Sequence, residues 1–251
     1  MSSFQKGIYV ELSHNFQIIE MSAKSATIFY TPSELCKTNR LITIVKFFSL
    51  AHRIFSSHYS IVGYRNDRPA VFLDRDGTII EDTGFVSSVE QVVPIEVAFE
   101  AVRLLNQHGF VVVVVSNQSG VARGYFDEKT VEEINEYIEK IFARRGAVID
   151  KFYFCPHYAG GSVEKYAVDC PCRKPNTGMI ERAKRELGVR PVLVIGDRES
   201  DILLGKNVGV PAVLVLTGIG ARQDEKTKSL ADYVASDILD GVKWFLKHFE
   251  R

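Results

Sequence analysis

No stretch of this 251-residue chain stays apolar long enough to cross a bilayer. The longest apolar segment, residues 41–55, is interrupted by Lys46, His52 and Arg53 and falls short of the roughly 20 residues a membrane helix needs. The first twenty residues lack a basic start followed by an apolar run, so neither a secretory leader nor a membrane partner is expected. An excess of charge of one sign is also missing. Thirty-one basic residues stand against 31 acidic ones, and there is no basic or aromatic stripe, which excludes nucleic acid as a partner and makes any anion site local. Cysteine is scarce, with four in all, and three of them crowd beside a histidine. That grouping points to reduced thiols in a cytoplasmic protein rather than to a disulfide framework. A monomer is the expectation.

What the chain does have is core-forming material: 46% hydrophobic and 25% charged residues allow collapse to a globular fold. From Pro69 onward, short Val/Ile/Leu-rich runs alternate with amphipathic stretches. Strands are expected at residues 70–74, 110–116, 151–155, 192–197 and 212–216, and helices at 96–108, 127–145, 177–187 and 199–208. Asp127 is a candidate N-cap, and Gly109, Gly146 and Gly188 stand where helices should stop. A last strand near Tyr233 and a helix over 237–249 finish the chain. This rhythm predicts an α/β fold: a Rossmann-like parallel sheet with helices on both faces. Residues 1–65 do not join it. They hold β-prone pieces at 7–12 and 26–30 and a weakly amphipathic stretch at 41–57, and read as an extension of unknown role ahead of a domain over 66–251.

Chemistry gathers where strands end. "VFLDRDGTII" places Asp74 at the end of an apolar strand and Asp76 two residues later, with Gly77 permitting a turn that aims both carboxylates into one crevice. "VLVIGDRESD" ends a second strand in Asp197. Should these strands be neighbours, Asp74 and Asp197 meet and need a cation; hard oxygen ligands suit Mg²⁺. Alternatively, Asp197 merely caps the following helix. "VVVVVSNQSG" ends a third strand in Ser116 and Asn117, which can donate to phosphate oxygens, and Lys174 supplies a cation.

The order of DxDGT at 74–78, Ser116–Asn117, Lys174 and GDRESD at 196–201 resembles the haloacid-dehalogenase superfamily of phosphatases. The resemblance implies that Asp74 is a nucleophile forming an aspartyl-phosphate and that Asp76 is the general acid/base. It also implies Mg²⁺ held by Asp74, the backbone carbonyl of Asp76, and Asp197.

"CPHYAGGSVEKYAVDCPCRKP" adds a second signature. Cys155, His157, Cys170 and Cys172 supply three sulfurs and a nitrogen, the donor set of a closed tetrahedral Zn²⁺ site with no position left for an activated water. The zinc is therefore structural, a clip for the loop whose exit carries Arg173 and Lys174. CPH followed by CxCRKP is similar to the zinc-containing branch that includes histidinol-phosphatases and heptose-1,7-bisphosphate 7-phosphatases, and the long loop with "GSVEKY", together with "SNQSGVARGYF", favours the latter. The likeness spans about residues 68–250.

Members of this branch lack a large cap domain, and neither connecting interval here has room for one. By resemblance, substrate is contacted by Asp82, Thr83, Gly84 and Phe85; by Ser116, Asn117, Gln118 and Ser119; by Arg173 with Lys174; and by Arg198. Arg123 either meets a second phosphate or faces solvent. The expected activity is hydrolysis of a phosphorylated sugar, D-glycero-D-manno-heptose 1,7-bisphosphate, to the 1-phosphate. The alternatives are histidinol-phosphate hydrolysis and, in another class, a zinc-stabilised binding module without catalysis.

Overall fold

The computed structural model describes residues 10–13, 16–21, 26–30 and 67–249. The chain divides into two units, Met1–Gly63 and Tyr64–Arg251. In the first, β1 (Val10–Ser13), β2 (Phe16–Met21) and β3 (Ala26–Tyr30) form an antiparallel sheet in that order. Residues 41–57 lie outside the described residues.

The second unit is built on a six-stranded sheet. Its strands are β4 (Arg68–Leu73), β5 (Val111–Asn117), β6 (Lys151–Cys155), β7 (Val189–Gly196), β8 (Ala212–Val215) and β9 (Tyr233–Ala235). Their order is β6-β5-β4-β7-β8-β9 and every pairing is parallel. Among the described residues, seven α-helices accompany them: α1 (Glu96–Gln107), α2 (Ser119–Ala122), α3 (Glu128–Arg144), α4 (Gly178–Leu187), α5 (Glu199–Val208), α6 (Glu225–Leu230) and α7 (Ile238–Phe249). Among the described residues, the connections from β4 to β5 and from β5 to β6 hold only α1, α2, α3 and one 3-10 turn, so no cap domain is inserted.

Strand side chains alternate in direction, and here both directions are apolar because both faces are covered. Val71 and Leu73 of β4, with Val112 and Val114 of β5, enter one core against Phe99, Ile138, Phe142 and Phe245. Ala70, Phe72, Val111, Val113 and Val115 enter the other, against Met179, Ile180 and Leu204. Each fully buried aliphatic side chain in these strands contributes about 1.5–3 kcal/mol from removal of apolar surface from water.

Local signals set the helix ends. Asp127 caps α3, its Oδ1 accepting from the Thr130 N–H at 2.8 Å, and Gly188 ends α4 at φ 61°. β7 starts three residues before its expected position. Pro191 hides that start: the β4 pairing shifts register between Ala70 and Val71, so that Val192 falls between the pairs Ala70–Pro191 and Val71–Leu193. A strand can hold a proline at such a break, where no ladder N–H is required. The short helices α2 and α6 carry no sequence period long enough to announce them.

Because β4 sits between β5 and β7, the chain reverses its direction of winding at β4. A crevice opens there beyond the carboxyl ends of the strands.

Candidate active site

Three carboxylates and one ammonium meet in that crevice. Asp74 follows β4 directly, and its N–H still pairs with Ile195 O of β7 at 2.8 Å. Asp197 follows β7, and Asp201 projects back from the first turn of α5. One oxygen from each of Asp74, Asp197 and Asp201 lies within 4.8 Å of the others. Lys174 Nζ lies 2.5 Å from Asp74 Oδ1, 2.6 Å from Asp201 Oδ1 and 2.8 Å from Val115 O. All four residues are buried.

Asp201 was missed as a member of this group by the sequence reading. Its spacing of four from Asp197, one helical turn, was the available signal. Asp201 also takes the capping role that was the alternative reading of Asp197: its Oδ2 accepts from the Arg198 N–H at 3.1 Å. Asp197 Oδ2 instead accepts from Ile219 N–H at 2.8 Å, while Asp197 Oδ1 is buried without a hydrogen-bond partner. Gly77, at φ 86°, lets the turn after Asp76 pass against this carboxylate; a Cβ there would collide with Asp197 Oδ2.

Three carboxylates face one buried ammonium, and the Arg198 guanidinium, 3.7 Å from Asp197 Oδ1, is shared with Asp82, so the buried site keeps an excess of negative charge. The protein alone resists that charge. Burial, opposed by Lys174 and assisted by Asp201, Asp197 and Asp76, pushes the Asp74 carboxyl up to about 8. Burial likewise raises Asp197 to about 6, although the Ile219 N–H opposes it. Carboxylate oxygens, an Asp197 Oδ1 with no hydrogen-bond donor and an excess of negative charge fit one hard divalent cation.

Asp76 is held by a network that the sequence did not reveal. Arg75, 1% exposed, donates from Nε to Asp76 Oδ2 and from Nη2 to Asp76 Oδ1, both at 3.1 Å, and from Nη1 to Asn135 Oδ1 on α3 at 3.0 Å. Gln118 Nε2 donates to Asp76 Oδ2 at 2.8 Å. A guanidinium removed from water needs such partners. Asn135 is 60 residues away in the chain, and nothing in its sequence context marks it.

A cleft of about 550 Å³ opens over these groups, lined among others by Asp74, Asp76, Lys174, Arg123, Arg173 and Arg198. Asp82, Gly84, Phe85, Asn117, Gln118 and Ser119 also line it. Thr83 and Ser116 do not. Thr83 is solvent-exposed outside the cleft, and Ser116 is buried beneath it, its Oγ accepting from Gln118. Asn117 spends its amide on Lys174: Oδ1 accepts from the Lys174 N–H at 2.9 Å and Nδ2 donates to the Lys174 carbonyl at 3.1 Å. Both contacts hold the Lys174 backbone in place. Arg198 Nη2 pairs with Asp82 Oδ2 at 2.6 Å, tying the loop at residues 82–85 to the end of β7. A larger hollow of about 660 Å³ lies along β6, but its wall carries Glu128, Glu132, Glu136 and Glu139, a field that repels phosphate.

Cys155, His157, Cys170 and Cys172 converge with their donor atoms within 4.8 Å of one another. Cys155 ends β6, and the Cys172 N–H points at Cys170 Sγ at 3.3 Å. Burial raises the Cys170 thiol, and the contact with Cys155, ahead of burial, raises Cys172, so a cation is needed to keep these groups as thiolates. Among the described residues three sulfurs and one nitrogen make up this group, a donor set that fits tetrahedral Zn²⁺.

Comparison with known proteins decides the family. Residues 171–241 match the HAD-hydrolase-like family. The D-glycero-beta-D-manno-heptose-1,7-bisphosphate 7-phosphatase of Pasteurella multocida is 40% identical over 176 residues, covering 69% of this chain and 94% of that protein. The chain belongs to this family of haloacid-dehalogenase phosphatases. The family's D-glycero-D-manno-heptose-1,7-bisphosphate 7-phosphatase from Thermosynechococcus vestitus is 38% identical over 190 residues, 72% of this chain and 97% of that one. The fold of this chain is shared by the D,D-heptose 1,7-bisphosphate phosphatase of B. bronchiseptica, solved with magnesium and phosphate, at 30% identity and a TM-score of 0.61 over 72% of this chain and 99% of that chain. The protein is thus a phosphoric monoester hydrolase, and the reading as a binding module without catalysis is set aside because the relatives are phosphatases. No described helix is long and apolar enough to cross a membrane.

Proposed function

We propose that this enzyme removes the 7-phosphate from D-glycero-D-manno-heptose 1,7-bisphosphate, with Mg²⁺ at the carboxylate cluster and Zn²⁺ at the thiol cluster, in the cytoplasm. One observation carries the reading: the cleft that holds Asp74 and Lys174 also holds Arg123 and Arg173, cations beyond those a single phosphoryl group requires. A histidinol phosphate, with one phosphate and a cationic amine, would leave these arginines without an anion.

Asp74 attacks phosphorus, and the bond from phosphorus to the sugar oxygen breaks as that to the carboxylate oxygen forms. Asp76, set by Arg75 and Gln118, gives its proton to the departing sugar oxygen. It then takes a proton from the water that attacks the aspartyl-phosphate, releasing inorganic phosphate and restoring Asp74. Lys174 balances the Asp74 charge throughout. Asp74, Asp197 and the Asp76 backbone carbonyl, with Asp201 added, would hold Mg²⁺, which when bound supplies electrostatic stabilisation of the transferring phosphoryl oxygens. The thiol cluster leaves no position for water, so zinc acts on the fold and not on phosphorus.

Turnover of heptose 1,7-bisphosphate and histidinol phosphate, measured with Mg²⁺, is expected to favour the heptose by at least about a hundredfold in kcat/KM, roughly two phosphate-arginine contacts. Equal rates would remove the substrate assignment.

The raised carboxyls set a pH dependence. Asp74 and Asp197 bind protons more tightly when folded, at about 8 and about 6, than at the ordinary 3.8. Their stabilising contribution to the metal-free fold is complete below pH 3.8 and is lost as pH rises through the folded values. Mg²⁺ binds the ionised pair, so the rise in melting temperature on adding Mg²⁺ should grow between pH 6 and pH 8. A rise independent of pH would argue against Mg²⁺ at these carboxylates.

A further inference from the structure

Two guanidinium groups share one aromatic ring in the cleft. Arg123 Cζ lies 4.4 Å, and Arg173 Cζ 5.1 Å, from the centroid of Tyr158. The two arginines arrive by different routes: Arg123 closes α2, and Arg173 follows the last thiol. Tyr158 stands next to His157 on the loop between the paired ends of the thiol cluster. That loop is laced to α2, with the Val163 N–H donating to Ala122 O and Ser162 Oγ to Arg123 O, each at 2.9 Å. Gly160 leaves the ring its place, since a Cβ there would stand 2.8 Å from a ring carbon. Arg173 keeps one contact of its own, Nη1 to His157 O at 3.0 Å. Arg123 Nε is buried with no hydrogen-bond partner.

Two like charges on one ring repel, and the negative ring face offsets only part of that cost. A phosphate would offset the rest and satisfy Arg123. We infer that Tyr158 is a positioning residue: its ring, carried by the thiol-cluster loop, holds Arg123 and Arg173 as a pair for the phosphate that is not cleaved. The loop thereby sets preference for doubly phosphorylated substrates, a conclusion that rests on the bisphosphate reading above. Without the ring Arg123 keeps only the Phe85 ring, 5.9 Å away, and Arg173 only His157 O, so the two are no longer held as a pair and ordering them again weakens binding of the second phosphate.

The test compares heptose 1,7-bisphosphate with p-nitrophenyl phosphate, which has only the phosphate to be cleaved. Tyr158→Leu should lower the ratio of their kcat/KM values by about tenfold, through KM for the bisphosphate, with zinc content unchanged. Tyr158→Phe, which keeps the ring, should restore the ratio. An unchanged ratio in Tyr158→Leu, failure of Tyr158→Phe to restore it, or loss of zinc with both substrates falling together would each overturn the inference. A wild-type enzyme that shows no preference for the bisphosphate defeats the substrate reading itself, and this inference with it. An unaltered preference in Tyr158→Leu defeats the inference alone.

Discussion

Asp74→Asn is expected to lower kcat by about 10⁴-fold or more while the metal-free protein melts higher than wild type. The two effects have one cause. Asp74 is a buried carboxyl beside Asp197, Asp201 and Asp76, and burial outweighs Lys174 in pushing it up to about 8. Asparagine has the same shape but no ionisable carboxyl, so it removes the cost of holding that carboxyl in its buried, proton-bound form at neutral pH while Lys174 keeps Asp201 at 2.6 Å and Val115 O at 2.8 Å. A gain of about 1 kcal/mol corresponds to roughly 2–4 °C in a domain of this size. The amide cannot act as the attacking carboxylate, so the reaction stops at bound substrate. Steady-state kinetics and thermal melts without Mg²⁺ check both halves. Activity near that of wild type would mean Asp74 is not the nucleophile. Lost activity with a lower melting temperature would mean that its charge is structurally required.

Cys172→Ser is expected to lose one zinc per chain and to cost at least about 4 kcal/mol, the range reached when a structural metal is lost. That corresponds to about 10 °C or more. The cluster gathers the end of β6 and the turn after Cys170 around one point, with His157 Nδ1 at 3.7 Å from Cys155 Sγ and 3.6 Å from Cys172 Sγ. Activity at low temperature should fail unevenly. Lys174 is fixed independently of the cluster by Asn117, Asp74, Asp201 and Val115, whereas Arg173 leans on His157 O and Tyr158. KM should therefore rise by about tenfold while kcat changes by a small factor, which separates a clip from a catalytic metal. Metal analysis, melts and kinetics at reduced temperature measure this. A native protein without zinc, or a variant of unchanged stability, would contradict the clip.

Much of this enzyme could be read directly from its chain. Apolar runs of four to eight residues alternating with amphipathic helices give the parallel α/β sheet, because strands covered on both sides must be apolar on both sides, as Ala70–Leu73 and Val111–Val115 are. Asp74, Asp76 and Asp197 were legible because each stands just beyond a strand end, Lys174 because it follows the last thiol, and Cys155, His157, Cys170 and Cys172 because metal donors cluster at short spacings. Proline concealed the start of β7, since a register break accommodates a residue that would otherwise stop a strand.

What the sequence could not convey depends on approach in space. Local pattern made Asp197 a ligand or a helix cap, and only packing gave the capping contact to Asp201 and left Asp197 Oδ1 without a hydrogen-bond donor. Ser116 and Asn117 looked like phosphate donors. The folded chain adds contacts that the pattern does not show, Gln118 on Ser116 Oγ and the Lys174 backbone on the Asn117 amide. Asn135 reaches Arg75 from a helix 60 residues away, and Tyr158 meets Arg123 only because its loop folds back over α2. The sequence determined which groups are present and at which strand ends, through offsets of a few residues. The tertiary structure decided which group each one touches, because burial leaves every polar atom dependent on a partner that chain distance does not specify.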